Sequence, residues 1–204
     1  TLGREYWTSK FLSLRPHVGL RISFIDQRFE IEYKGGSFND PGMQLNFNDW
    51  VKLDNDFKGV GLRSGLDTVW RLGCGWGIYG DLALSIVYGK FSVDHDEMLR
   101  DANSPFSKTK ILETKDNFRS SRGMFDMGLG IQWASLLCDC QYGLRFSLGW
   151  EQHLFFHQNQ LWRVMRIGGA NSAELLNPTG ENVFHQRRGT LGTQGWTLTG
   201  NLSF

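Results

Sequence analysis

"LSLRPHVGLRISF", residues 12–24, sets Leu12, Leu14, Pro16, Val18, Leu20, Ile22 and Phe24 on the even positions. Ser13, Arg15, His17, Gly19, Arg21 and Ser23 fill the odd ones. Successive side chains of an extended chain point to opposite sides, so alternation of this length predicts one strand with an apolar and a polar face. At "FID" the phase slips, and Phe29, Ile31 and Tyr33 take over the apolar positions. One extra residue, a β-bulge after Phe24, is the expected cause.

The same period returns along the chain. "VGLRSGLDTVWRL" sets Val60, Leu62, Leu66, Trp70 and Leu72 against Arg63, Asp67 and Arg71. "WGIYGDLALSIVYG" sets Trp76, Ile78, Leu82, Leu84, Ile86 and Tyr88 against Tyr79, Asp81 and Ser85. "FDMGLGIQW" opposes Phe125, Met127, Leu129, Ile131 and Trp133 to Asp126, Gly128, Gly130 and Gln132. "YGLRFSLGWEQHLF" opposes Tyr142, Leu144, Phe146, Leu148 and Trp150 to Arg145, Ser147, Gly149, Glu151 and His153. The chain closes on "GWTLTGNLSF", with Trp196, Leu198, Leu202 and Phe204 alternating with Thr197, Thr199, Asn201 and Ser203. About six strands are predicted, and "TLGREYW" reads as the stub of a seventh followed by a turn.

Composition narrows the class. A net charge of +1 gives no electrostatic footprint for nucleic acid. Eight Trp, 14% aromatics and only four Pro oppose disorder. No apolar run is long enough for a spanning helix, but barrel strands are apolar at alternate positions only and escape that criterion. The chain starts without Met and without a basic-then-apolar segment, which reads as a mature or truncated piece.

The connections alternate as well. A Gly-rich polar stretch around "GGSFNDPG" joins the first two strands, "LGCGW" is a tight turn, and "VDHDEMLRDANSPFSKTK" is long again. "LLCDCQ" is tight, and "NQLWRVMRIGGANSAELLNPTGENVFHQRRG" is long. Long and short connections in alternation are expected of an up-and-down outer-membrane barrel, with long external loops and short periplasmic turns. Phe204 then lies at the periplasmic end.

Aromatics favour lipid on the apolar face. Trp70, Trp76, Trp133, Tyr142 and Phe204 lie near the short turns; Phe24, Tyr88, Phe125, Trp150 and Trp196 lie near the long loops. Separations of about 8–12 residues, at ~3.3 Å each and ~40° of tilt, give roughly 20–30 Å, close to an apolar band bounded by aromatic girdles. The opposite face carries Arg15, His17, Arg21, Arg63, Asp67, Arg71, Asp81, Asp126, Arg145, Glu151 and His153. A Lys or Arg on the lipid side would cost about 2–4 kcal/mol at the midplane. The expected fold is therefore all-β: a partial, antiparallel, up-and-down transmembrane β-barrel.

Four phrases carry a family resemblance: "LSLRPHVGLRISFIDQRFEIEY", "NDFKGVGLRSGLDTVWRLGCGWGIYGD", "CDCQYGLRFSLGWEQHLFFHQNQLWR" and "GWTLTGNLSF". They resemble the Legionella-type, MOMP-like pore-forming outer membrane proteins, a family shared with environmental chlamydiae. The resemblance covers most of residues 1–204. It implies a bacterial outer-membrane barrel that admits small hydrophilic solutes and is delivered by the barrel-assembly machinery through its C-terminal aromatic, Phe204. Such proteins carry more strands before this region. The chain is thus expected to be the C-terminal part of a single barrel domain, or else to need a second copy to close, since the smallest familiar barrels have about eight strands.

The charged residues named above are the candidate pore lining, weakly selective with a lean to anions; the plain alternative is pairing across neighbouring strands that holds the wall together. Glycines 61, 65, 128, 130 and 149 share that face and are expected to keep the wall thin. Cys74, Cys138 and Cys140 fall in the two short turns; a bridge from Cys74 to either of the others and unpaired thiols are equally compatible with a periplasmic rim. "GCGWGIYG" has dinucleotide-loop spacing but leads into a strand rather than a helix. "DHDE", Asp94–Glu97, reads as a solvated charge run rather than a cation site, and no metal or cofactor is expected. Ser147 and His153 lie roughly 20 Å apart along one strand, too far for proton transfer, so no enzyme is expected. The leading function is passive diffusion through a porin-like channel. The alternative is a plugged or structural barrel whose long loops act as a surface antigen or adhesin.

Overall fold

The computed structural model describes residues 1–40, 43–101, 108–137, 142–167 and 181–203. Strands follow one another as β1 (Leu2–Gly3), β2 (Tyr6–Trp7), β3 (Leu12–Asp40), β4 (Met43–Gly73), β5 (Trp76–Asp101), β6 (Lys108–Leu137), β7 (Tyr142–Ile167) and β8 (Glu181–Ser203). From β3 onward each pairs antiparallel with the next, and the two stubs lie on the free edge of β3. The fold is the up-and-down sheet read from the sequence. Among the described residues β8 pairs only with β7, so the sheet stays open.

One face is greasy and outward. Leu20 is 73% exposed, Leu62 66%, Leu84 63% and Leu129 59%. In water such a surface would be an association liability; against hydrocarbon it is the natural solvent contact. The other face is concave, because side chains on β3 and β4 reach those on β6 and β7 across it.

The turn "GCGW" is a two-residue hairpin. Cys74 (φ 52°) and Gly75 (φ 84°) both have positive φ, as the primed turns that match strand twist require. Cys74 is exposed and free; Cys138, Cys140 and Phe204 lie outside the described residues.

Two expectations are corrected. The bulge after Phe24 is absent: β3 and β4 keep one register from Leu12↔Trp70 through Phe24↔Lys58 to Tyr33↔Asp49, with the first shift between Tyr33 and Gly36. The residues taken for long loops after "GGS" and "VDH" are largely continuations of β3, β4, β5 and β6. Both errors have one cause. Beyond the apolar band the outward face meets water and turns polar, while the apolar residues move to the concave side. The alternation inverts without any break in pairing.

A break does occur where none was expected, between Phe155 and Asn159 of β7. Phe156, His157 and Gln158 face the single residue Thr190 of β8, and His157 has φ 53°. Pairing of β6 with β7 stops at Met124↔Phe155, just before this bulge.

The strands are inclined. Trp196 pairs with Trp150, Trp150 with Leu129 and Leu129 with Gly80. A loop-side girdle residue of β8 thus lies level, along the hydrogen-bonding rows, with the turn-side half of β5. Tilted barrel strands carry this stagger.

Candidate functional site: the charged concave face

All the charged residues singled out from the sequence share the concave face, because they occupy one parity of continuously paired strands. Row by row, Arg15, Asp67, Asp81, Gly128 and Glu151 are level, as are His17, Gly65, Ala83, Asp126 and His153.

Asp126 on β6 is the hub. It is 6% exposed and forms ion pairs with Arg21 of β3 and Arg63 of β4, the latter at 3.3 Å. His153 Nδ1 of β7 lies 2.8 Å from its other oxygen. Arg21 also donates to Ser85 Oγ at 3.3 Å. Burying a carboxylate is unfavourable unless its charge and lone pairs are matched, and here three partners do so. Neighbouring-strand pairing covers only part of this network, since Arg21 and Arg63 span the curl of the sheet. His17 Nδ1 stands 3.3 Å from Asp67, and His153 Nε2 stands 3.7 Å from Glu151. Thr197 Oγ1 of β8 donates to Glu151 at 3.2 Å. The partners of His153 are therefore carboxylates.

Toward the turns the face opens into a cavity of about 610 Å³ whose lining includes Arg15, Asp67, Arg71 and Arg145. The Arg71 guanidinium lies 4.2 Å from the Trp7 ring centre, which positions it by cation–π attraction. A smaller space of about 160 Å³ continues among His17, Arg63, Asp81, Asp126 and Glu151.

Two of the glycines on this face make room for a ring. A Cβ on Gly149 would collide with the Tyr79 hydroxyl, and one on Gly65 would meet the His17 ring at 2.5 Å. These positions seat a neighbour's ring against the backbone instead of leaving open space.

Toward the loops the concave face is dry. Phe57, Val87, Phe91, Val93 and Met124 form a buried cluster, joined by Ile25, Phe118, Phe155 and Trp162. Phe91 lies 4.5 Å from Phe57 and 5.1 Å from Phe118, ring centre to ring centre. Above the cluster the β7 bulge meets the first strands. Asn55 Nδ2 donates to Gln158 O at 2.9 Å and to Gln27 Oε1 at 2.8 Å, and Gln27 Nε2 donates to Asn159 Oδ1 at 2.8 Å. Sequence reasoning missed this cap. Its signal was available in "VYGKFSVDH", where Val87, Phe91 and Val93 sit inward and Lys90, Ser92 and Asp94 outward.

Beyond the apolar band, Glu97 on β5 shares the concave side with Asp49 of β4. Burial, then the neighbouring Asp49 carboxylate, pushes its carboxyl up to about 7. Among the described residues no cluster of His, Cys, Asp and Glu is arranged to hold a metal, and "DHDE" splits between faces: His95 is buried inward, while Asp96 pairs outward with Lys110 at 3.0 Å.

A family model described as the Legionella pneumophila major outer membrane protein precursor matches residues 1–204. No curated protein matches the chain.

Proposed function

This chain belongs to the family of the Legionella major outer membrane protein, and so to the bacterial outer membrane; from that premise we propose that it forms part of the wall of a porin-like channel for passive diffusion of small hydrophilic solutes. One observation carries the reading. A charged concave face, hollow toward the turns, stands back to back with an exposed apolar face. A wall between water and hydrocarbon needs that pairing of faces. Residues 1–204 act as one part of a single barrel domain, closed by further strands of the protein or by a second copy. Phe204 is the signal to the assembly machinery. Arg15, Arg71 and Arg145 at the turn-side mouth outnumber Glu5 and Asp67 in the cavity lining by one charge and favour anions modestly. His17, Arg21, Arg63, Asp81, Asp126, Glu151 and His153 form the lining above them. Solutes need only polar contact with this wall; it supplies no covalent step.

A second reading has its own observation. The Phe57–Phe91–Met124 cluster and the Asn55–Gln158 cap fill the loop-side half of the concave space. A plugged barrel presenting its external loops as an antigen or adhesin would look this way. Planar-bilayer conductance of the folded protein separates the two. Discrete ohmic steps, with anion preference lowered by Arg15→Gln/Arg71→Gln/Arg145→Gln, support the channel. A folded protein, heat-modifiable on a gel, that gives no steps supports the plug.

A further inference from the structure

On the outward face, just beyond the apolar band, three cations stand in one hydrogen-bonding row. Lys58 of β4 pairs with Lys90 of β5, and Lys90 pairs with Arg119 of β6; Phe24 of β3 begins the same row. All three cations are exposed. One pleat nearer the membrane centre the row is Ile22, Val60, Tyr88 and Ser121, with Ile22 67%, Val60 55% and Tyr88 56% exposed. The cations therefore begin where the greasy surface ends.

Like charges directly opposite one another destabilise a sheet. Three cations further out on this face are matched: Arg28 and Lys52 hold Asp54 at 3.0 and 2.9 Å, and Lys110 holds Asp96 at 3.0 Å and Glu113 at 2.6 Å. Lys58, Lys90 and Arg119 make no ion pair with any described residue. The field of Lys58 reaches Asp56, one pleat further out, but that carboxyl is raised by burial and by Asp26 and Asp54.

Height identifies what fills the gap. Strands about 4.8 Å apart and inclined at ~40° lift each successive cation by about 3 Å, so the row rises roughly 6 Å from Lys58 to Arg119. That matches the headgroup layer, about 5–7 Å on each side of the hydrocarbon. The side on which the strands run far beyond the apolar band is read as the external side of an outer-membrane barrel, where this layer belongs to the external leaflet, whose lipid is a phosphorylated glycolipid.

We propose that Lys58, Lys90 and Arg119 form a docking row for the phosphates of an outer-leaflet glycolipid headgroup. Phe24, Val60 and Tyr88 lie below it, against the upper part of the acyl chains. Guanidinium and ammonium groups suit phosphate oxygens, and a multiply anionic headgroup turns three repelling charges into one site. The site rests on the membrane orientation of the sheet and is independent of whether the barrel conducts.

Native mass spectrometry of the folded protein in detergent tests it, with bisphosphorylated lipid A, its dephosphorylated form and phosphatidylglycerol as probes. The expected order is strong retention of bisphosphorylated lipid A and little of the other two. Each cation removed should weaken binding roughly fivefold, so Lys58→Gln/Lys90→Gln/Arg119→Gln should lose retention. Lys58→Arg/Lys90→Arg should keep it, and Lys52→Gln/Lys110→Gln, which removes cations already paired, should leave it unchanged. Equal retention by the triple variant, or of the dephosphorylated probe, would overturn the site. Retention of phosphatidylglycerol as strong as that of lipid A would overturn its assignment to the glycolipid.

Discussion

Asp126 joins Arg21, Arg63 and His153, side chains from three different strands, at a position with 6% exposure. Asp126→Asn keeps its size and removes its charge, leaving two guanidinium groups without their common acid. We expect a loss of about 2 kcal/mol in urea unfolding from micelles. An unchanged midpoint would mean that water already carries those charges. Glu97 offers a test by pH. Its carboxyl is raised from an ordinary 4.5 to about 7, so the folded chain binds that proton more tightly than the unfolded one. The stabilisation is complete below 4.5 and is lost as the pH rises through 7. Amide exchange along the loop-side ends of β4 and β5, corrected for intrinsic rate, should therefore be faster at pH 8 than at pH 5. In Glu97→Gln that difference should vanish.

Strands were legible in the sequence wherever lipid imposed the pattern. Val18, Leu20, Ile22 and Phe24 of β3 face outward, as the alternation required. Above Phe24 the rule changes, because water replaces hydrocarbon outside and neighbouring side chains replace water inside. A reading that tied the apolar residues to the outer face had to introduce a bulge at Ile25, where the register shows none. The true bulge in β7 went unseen because "HLFFHQNQL" has no glycine, and its positive φ falls on His157. This inversion predicts opposite tolerances on one face of one strand. Leu84→Arg should cost about 2–4 kcal/mol in folding into bilayers. Ser92→Arg, outward on the same strand but opposite Asp56, should change stability by less than about 0.5 kcal/mol. Equal costs at the two positions would contradict a lipid boundary between them.

At the scale of the whole molecule, the described strands form an open sheet with a greasy back and a charged hollow. The grouping of the charged residues on one face could be read from their spacing, because parity alone fixes the face in strands that keep register. The dry cap above them could not, since it depends on how tightly the sheet curls and on where β7 leaves β6. The membrane orientation of the sheet stands or falls with the direction of the apolar face. Spin labels placed singly from Leu82 to Val87 of β5, in protein reconstituted into bilayers, report that direction. We expect high collision rates with oxygen dissolved in lipid at Leu82, Leu84 and Ile86, and low rates at Ala83, Ser85 and Val87. The reverse alternation, or none at all, would contradict that orientation.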